Sequence, residues 1–505
     1  MPVYRPVPAN PRRLLPLLLV ALLHGCTVLG PEFRTPESEA PSAWSDWHGG
    51  AEAPGAEHID TAAQPAAQWW REFDDPVLDR LQQRLLDNSP DLHSAMLNFT
   101  RARLQQQLTA SARGVEISAD GSLTRQRLSE HGAQMRMAAI SAPGNSDALI
   151  SALAEPYSLY QAGFDAGWEP DLWGRISRSI EAAEADSRAG AALLAQARLG
   201  LGAELARRYF ELRALQRKSA LLDDEISLAE AQLQLLDANR EAGLGSELEL
   251  EAQRSRLAEQ RAALPTLQSR TGAAENAIAL LLGERPGALR DLLTAAGESA
   301  QLPQMGDLSL GLPSELARRR PDIRAAEARL HAATAEIGVA MADLYPRVTL
   351  SAGFGLESFE EGAFGNWASR QWSIGPRFYL PIFNQGRLKT RVELTELAQQ
   401  QAAVNYHQTV LGAWREVDDA LTAYGAEYRR YRRLQQKLDA AERQAALIAA
   451  HRSAGLVDAG AQLSAESAAL AIERQLAESA ATLNIQRVAV YKAVGGGVES
   501  RDKQD

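Results

Sequence analysis

The sequence predicts a mainly α chain with a transmembrane β portion: a duplicated unit of four strands per chain and long coiled-coil helices. Three observations carry that prediction. Four short segments alternate apolar and polar residues, long helical stretches are rich in Ala, Leu, Gln, Glu and Arg, and landmarks recur at fixed spacing. Alternation of period two marks strands with one apolar and one polar face, as in membrane barrels, whereas Ala- and Leu-rich runs mark long packed helices.

In chain order, Arg5, Arg12 and Arg13 precede an apolar run from Leu14 to Leu23. That run is too short for a spanning helix, which needs roughly 20 residues, so residues 1–25 are expected to be a signal peptide. It ends Leu23-His24-Gly25-Cys26, which resembles a bacterial lipobox with Cys26 as the lipidation site. Thr27 stands where inner-membrane retention usually favours Asp, which implies outer-membrane sorting. Cys26 is the only cysteine, so an intrachain disulfide is excluded although export would permit one. Residues 26–68 contain Pro31, Pro36, Pro41, Pro54 and Pro65 and read as a lipidated, extended arm.

Structured sequence begins near Trp69-Trp70 and repeats once, giving expected repeats over 69–285 and 286–498 and a polar tail over 499–505. Pro90-Asp91-Leu92 recurs 231 positions later as Pro321-Asp322-Ile323. Ala242-Gly243-Leu244 recurs 212 positions later as Ala454-Gly455-Leu456, and Asp171 to Arg175 recurs loosely as Phe383 to Arg387 at the same spacing. The difference is expected in the long first hairpin connection, Arg125 to Pro156, against Ser358 to Arg370 in the second.

The strands are expected at Val115–Thr124, Gln161–Glu169, Val348–Glu357 and Trp372–Leu380. Pro376, at an apolar position of the fourth, cannot donate to a ladder, so a bulge is expected there. The helical runs from Asp171 to Gly243 and from Arg387 to Gly455 lack proline, and at about 1.5 Å per residue each would span on the order of 100 Å. A bilayer core is about 30 Å, so most of that length lies outside it. The returning helices carry heptad positions Leu250, Leu257, Leu264 and Leu476, Leu483, Val490. Gly243 and Gly455 are expected to end the outgoing helices, with Ser246 and Asp458 as N-caps of the returning ones.

Net charge −11 and the lack of a concentrated basic run argue against nucleic acid. No apolar stretch of 18 residues follows the signal. Histidines are scattered, and no nucleophile elbow, phosphate loop or zinc-ligand spacing occurs, so no catalytic residue, metal site or cofactor is expected. Met135 and Met137 could bind a soft metal, but no third ligand accompanies them.

Four strands cannot close a barrel, since small barrels start at about eight and lipid tolerates no open edge. Several copies would have to share one wall. The polar face would then line a lumen with Glu116, Asp120, Asp165, Glu169 and Glu357 against Arg377. Such a lumen would be acidic and mildly cation-favouring, or the same residues would serve only to keep it wet. An ordinary soluble coiled coil explains the helices but neither the strands nor the signal.

The chain resembles the TolC/OprM-type outer-membrane factors. The resemblance rests on Trp69 to Leu78, on Leu312-Pro313-Ser314-Glu315-Leu316-Ala317-Arg318-Arg319-Arg320-Pro321-Asp322-Ile323, on Tyr345-Pro346-Arg347, on Leu380 to Arg387 and on Cys26 to Phe33. It implies a homotrimer with a 12-stranded outer-membrane barrel and a helical periplasmic tunnel. It further implies a periplasmic adaptor and an inner-membrane RND-type pump as partners, and export of small molecules such as drugs. Gly243, Leu244, Gly455 and Leu456 would be adaptor-contacting tips. Asp458 would stand at the tunnel mouth, because the usual acidic positions match Ala461 and Ser464. Asp458 is expected either to pair with a base such as Arg452 or to leave closure to helix packing. Export of metal ions or secreted protein, and a lipid-anchored periplasmic adaptor, are the alternative readings.

Overall fold

The chain's computed structural model describes residues 28–36, 59–60, 66–141, 144–295, 308–310 and 316–496. The signal peptide, Cys26, Leu312 to Glu315 and the polar tail lie outside the described residues. The strands are β1 (Ile59–Asp60), β2 (Glu116–Gln126), β3 (Tyr157–Trp168), β4 (Leu308–Ser309), β5 (Arg347–Ser358) and β6 (Arg370–Tyr379). The helices are α1 (Pro76–Asn88), α2 (Pro90–Ser111), α3 (Ala133–Ser141), α4 (Ser146–Leu153), α5 (Arg175–Glu241) and α6 (Glu247–Leu281). They continue with α7 (Arg290–Ala295), α8 (Leu316–Arg319), α9 (Pro321–Ala342), α10 (Arg387–Ser453) and α11 (Ala459–Ala493). Among the described residues no helix is long and apolar enough to cross a membrane.

The repeat is visible in the element ends. Helices α5 and α10 begin and end 212 positions apart, as do α6 and α11, while α2 and α9 are displaced by 231. The same C-terminal device closes four of them. Gly243, Gly283, Gly455 and Gly495 have φ between 68° and 76°, a region that costs other residues about 1–2 kcal/mol. At Gly455 the amide donates to Arg452 O at 2.9 Å and Leu456 N donates to His451 O at 2.9 Å. Gly243 and Leu244 repeat these bonds to Arg240 and Asn239, which satisfies carbonyls the helix leaves open. The extra residues of the first hairpin fold into α3 and α4, which pack on each other.

The chain divides into two compact units. One gathers residues to 34, 103–186 and 330–402; the other gathers 35–102, 187–329 and 403–505. In the first unit β2, β3, β5 and β6 form one antiparallel sheet in that order. The segment from Val28 to Phe33 is strapped onto α5 and α9. Buried Arg178 donates to Leu29 O (3.0 Å), Glu32 (2.6 Å) and Glu181 (2.7 Å), and Phe33 stacks on His331 at 4.3 Å.

The second unit holds a helical core. Trp69 and Phe73, in a short 3-10 turn, pack with Leu78 and Leu81 of α1, Tyr209 and Phe210 of α5, Val417 and Leu421 of α10, and Leu483 and Val490 of α11. Asp75 caps α1 by accepting from Val77 N and Leu78 N, while its other oxygen accepts from Tyr209 OH at 2.6 Å. Arg320, just before α9, donates to Ala493 O at the end of α11 and to Asp322 and Glu416. The Arg-Pro-Asp run therefore ties the start of one helix to the end of another. Of the heptad positions, Leu250, Leu257, Leu483 and Val490 are buried, whereas Leu264 and Leu476 are half-buried. A parallel pair, β1 with β4, completes this unit.

Candidate conduit face and helix tips

The register of the sheet decides which side chains share a face. One row runs Ile117, Ala166, Ala352, Ile374 and the next Ala119, Phe164, Phe354, Trp372. The other face carries Ser118, Asp165, Gly353, Ser373 in one row and Asp120, Gly163, Gly355, Gln371 in the next. Every strand thus contributes its apolar set to one side and its polar set to the other, which a single one-residue slip would destroy. The apolar side is bare: Ile117, Phe164, Trp372 and Phe378 are all more than 60% exposed.

On the polar face, Ser122 Oγ donates to Gln161 Oε1 (3.0 Å) and Gln161 Nε2 donates to Glu357 Oε2 (2.7 Å). Gln161 belongs to the polar set expected of the second strand, whereas Gln371, which donates to Glu357 Oε2 at 3.5 Å, lies before the expected start of the fourth strand at Trp372 and was missed for that reason. Gly163 and Gly355 face each other across β3 and β5. A Cβ on Gly355 would stand 2.8 Å from Ala162 O, so the strands approach there more closely than alanine allows.

The structure places Glu116, Asp120, Asp165, Glu357 and Arg377 on this polar face, inside strands. Glu169 differs. It follows the end of β3, and its carboxylate takes both Nε and Nη2 of Arg175, at 3.0 and 2.8 Å, with Arg347 at 3.5 Å. The hydrogen bond to Glu169 in turn holds the Arg175 guanidinium above its ordinary pKa, against the opposing effect of burial. These groups line a cavity of about 270 Å³ with Asp343, Arg387 and Arg391. The charge of Glu169 is therefore offset locally.

The bulge expected at Pro376 is absent: Gly375, Pro376 and Arg377 face Ser351, Leu350 and Thr349 one for one. Within the chain β6 is an edge of the sheet, so a proline whose nitrogen faces away from β5 removes no hydrogen bond from the β5–β6 ladder.

At the tips, Leu244 and Leu456 are 83% and 70% exposed, the apolar ends of two matching turns. Ser246 caps α6 by accepting from Leu248 N (3.2 Å), and Asp458 caps α11 by accepting from Ala461 N (2.7 Å). The expected Asp458–Arg452 pair is not formed. Arg452 donates instead to Gln462 (2.7 Å), because the cap turns the Asp458 carboxylate toward its own helix. Ala461 and Ser464 sit in the first turns of α11. Met135 is buried and Met137 exposed, and among the described residues no group of three His, Cys, Asp or Glu is placed to hold a metal.

A sheet bare on its apolar side, wet on the other and open at both edges, joined to long paired helices, defines a membrane-channel subunit. The comparisons specify which. The profile of the outer membrane efflux protein family matches residues 81–284 and 312–496, and the chain belongs to that family. It is 30% identical over 499 residues to the pyoverdine export outer membrane protein OpmQ of Pseudomonas aeruginosa, covering 96% of this chain and 98% of the relative. It is 30% identical over 482 residues to the outer membrane protein OprJ of the same organism, covering 95% of each. The solved outer-membrane channel OprN superimposes with a TM-score of 0.79 at 32% identity, over 93% of this chain and 99% of that one. The protein is an outer-membrane efflux channel with the TolC-like fold.

Proposed function

We propose that the protein is the exit duct of a tripartite pump: a homotrimer whose three sheets form one 12-stranded barrel, anchored through lipid on Cys26. The observation that carries this reading is the sheet whose apolar face is bare while both edge strands stand open. Lipid tolerates no free backbone edge, so further copies must complete the wall. Exposed apolar positions on α2 (Leu97, Leu104, Leu108) and on α10 (Leu394, Leu397, Val404) supply helical surface for the same neighbours. The repeats at 69–285 and 286–498 are the building units, each giving the trimer one hairpin and one helical tip.

Gly243, Leu244, Gly455 and Leu456 form the surface for a periplasmic adaptor, with an RND-type pump beyond it in the inner membrane. Asp458 shapes the tunnel mouth as a helix cap. The cargo is small molecules such as drugs. OpmQ is named for export of pyoverdine and the relative TtgF of Pseudomonas putida for toluene, so pyoverdine and toluene belong to the range to be tested. Transport needs no catalytic group in this chain, since the duct supplies passage and the pump supplies energy.

Deleting the gene in its host should raise susceptibility to amphiphilic drugs severalfold, with rescue by the wild-type gene. The purified protein should run as a trimer in detergent and form pores in planar bilayers. A water-soluble monomer without pore activity would overturn the proposal.

A further inference from the structure

The two hairpins are one design used twice, and their registers show it. The first pairs Glu116 with Gly167 and Ser122 with Gln161; the second pairs Arg347 with Tyr379 and Gly353 with Ser373. Moving the first strand by 231 positions and the second by 212 converts each of these pairs of the first hairpin into one of the second. The flanking helices obey the same offsets, α2 to α9 by 231 and α5 to α10 by 212. Nothing is therefore inserted between helix and strand in either copy.

One joint inside the chain connects the hairpins: β3 with β5, pairing Asp165 with Gly353 and Gly167 with Ser351. A cyclic assembly needs the same joint between β6 of one copy and β2 of the next. Resting on the trimer reading above, we propose that this seam copies the β3–β5 register. Applied to the observed pairs, the offsets place Arg377 opposite Ser122 of the partner subunit. Tyr379 then faces Asp120 of the partner subunit, Gly375 faces Thr124 of the partner subunit, and Pro376 faces Leu123 of the partner subunit.

Three physical points favour this register. Polar residues meet polar ones on one face, and Pro376 and Phe378 meet Leu123 and Gly121 of the partner subunit on the other. A slip by one residue would break that match, so only slips by two compete. The helices that enter and leave the seam strands repeat with the template's offsets, so a slip by two would pull them out of step with it. The template also shows how a side chain crosses the joint: Asp165 Oδ1 lies 2.9 Å from where a Cβ on Gly353 would stand. Arg377 takes the place of Asp165 at the seam, and its longer side chain reaches diagonally to Asp120 of the partner subunit, within the roughly 7–8 Å spacing of such neighbours. An arginine set among acidic rows thereby becomes the ionic clasp between copies.

Disulfide trapping in native membranes tests the register. The pairs R377C/S122C and G375C/T124C sample it, while R377C/D120C and R377C/T124C sample the two slips. Within one chain β2 and β6 are three strand spacings apart, about 14 Å, beyond the roughly 7 Å limit for a disulfide, so any cross-link joins two copies. The expected result is at least a tenfold excess of covalent dimer and trimer for the first two pairs over the slip pairs. A slip pair that cross-links equally well overturns the register and leaves the trimer standing. No cross-link in a chain that still migrates as a trimer also overturns it. A monomeric wild type would overturn the assembly on which it rests.

Discussion

Arg178 shows how much a single residue organises. Its guanidinium is 2% exposed, yet it serves Leu29 O, Glu32 and Glu181 together, which fastens the N-terminal segment to the first unit. Burial works against its charge, but the hydrogen bonds it donates to Glu32 and Glu181 outweigh that and hold its pKa above the ordinary value. Arg178→Met keeps the bulk and removes the donors. Because Glu32 is exposed and screened, the expected loss is about 1–3 kcal/mol rather than that of a sealed ion pair. Limited proteolysis should then cut near residues 28–36, where the wild type resists. The same clamp has a defined pH range. Burial tends to raise the Glu181 pKa, but hydrogen bonds from His331 and Arg178 prevail and set it below its usual value of 4.5. A depressed carboxylate contributes stability above its unfolded pKa and loses it as pH falls through the folded one. Amide exchange at Leu29 should therefore stay slow down to about pH 4.5 and quicken only below it. Quickening already between pH 7 and 6 would point to a different group in control.

At the scale of elements, the repeat offsets were legible because they rest on turn chemistry: a left-handed glycine and a capping Ser or Asp must recur where a helix must turn. Strand placement was legible to within a few residues at most ends, because alternation is a two-sided demand that few other sequences satisfy. Helices α3 and α4 were not, since the stretch from Arg125 to Pro156 has no sustained period. The parallel pair β1–β4 and the Arg178 strap were hidden for another reason: they join residues far apart in sequence, and no local pattern announces such a contact. Pro376 misled because a proline's effect depends on which side its nitrogen faces. Pro265 went unnoticed, although it lies inside α6 while the matching position in α11 is Ala477. The ring removes the hydrogen bond to the Arg261 carbonyl and crowds the turn before it. Pro265→Ala should stabilise the protein by roughly 1–3 kcal/mol in chemical denaturation and slow amide exchange around Arg261. An unchanged or lowered stability would show that neighbours pack on the bend it imposes.

For the whole molecule, on the trimer proposed above, the charges of the polar face would set an ion preference once the wall is closed. Glu116, Asp120, Asp165 and Glu357 stand on strand rows with Arg377, while Glu169 is tied to Arg175 and Arg347 at the end of β3. Fixed charges act on ions within about a Debye length, roughly 10 Å at 0.1 M salt and 3 Å at 1 M. A wide pore should therefore favour cations modestly in dilute KCl and lose most of that preference in concentrated KCl. Reversal potentials across a bilayer separate the contributions. Asp165→Asn should reduce cation preference and Arg377→Gln should increase it. Glu169→Gln should change it less, because that carboxylate lies past the end of β3 in the corner cavity and not on a strand row. Equal effects of Asp165→Asn and Glu169→Gln would mean that the corner cavity opens to the ion path, and the strand rows alone would no longer account for selectivity.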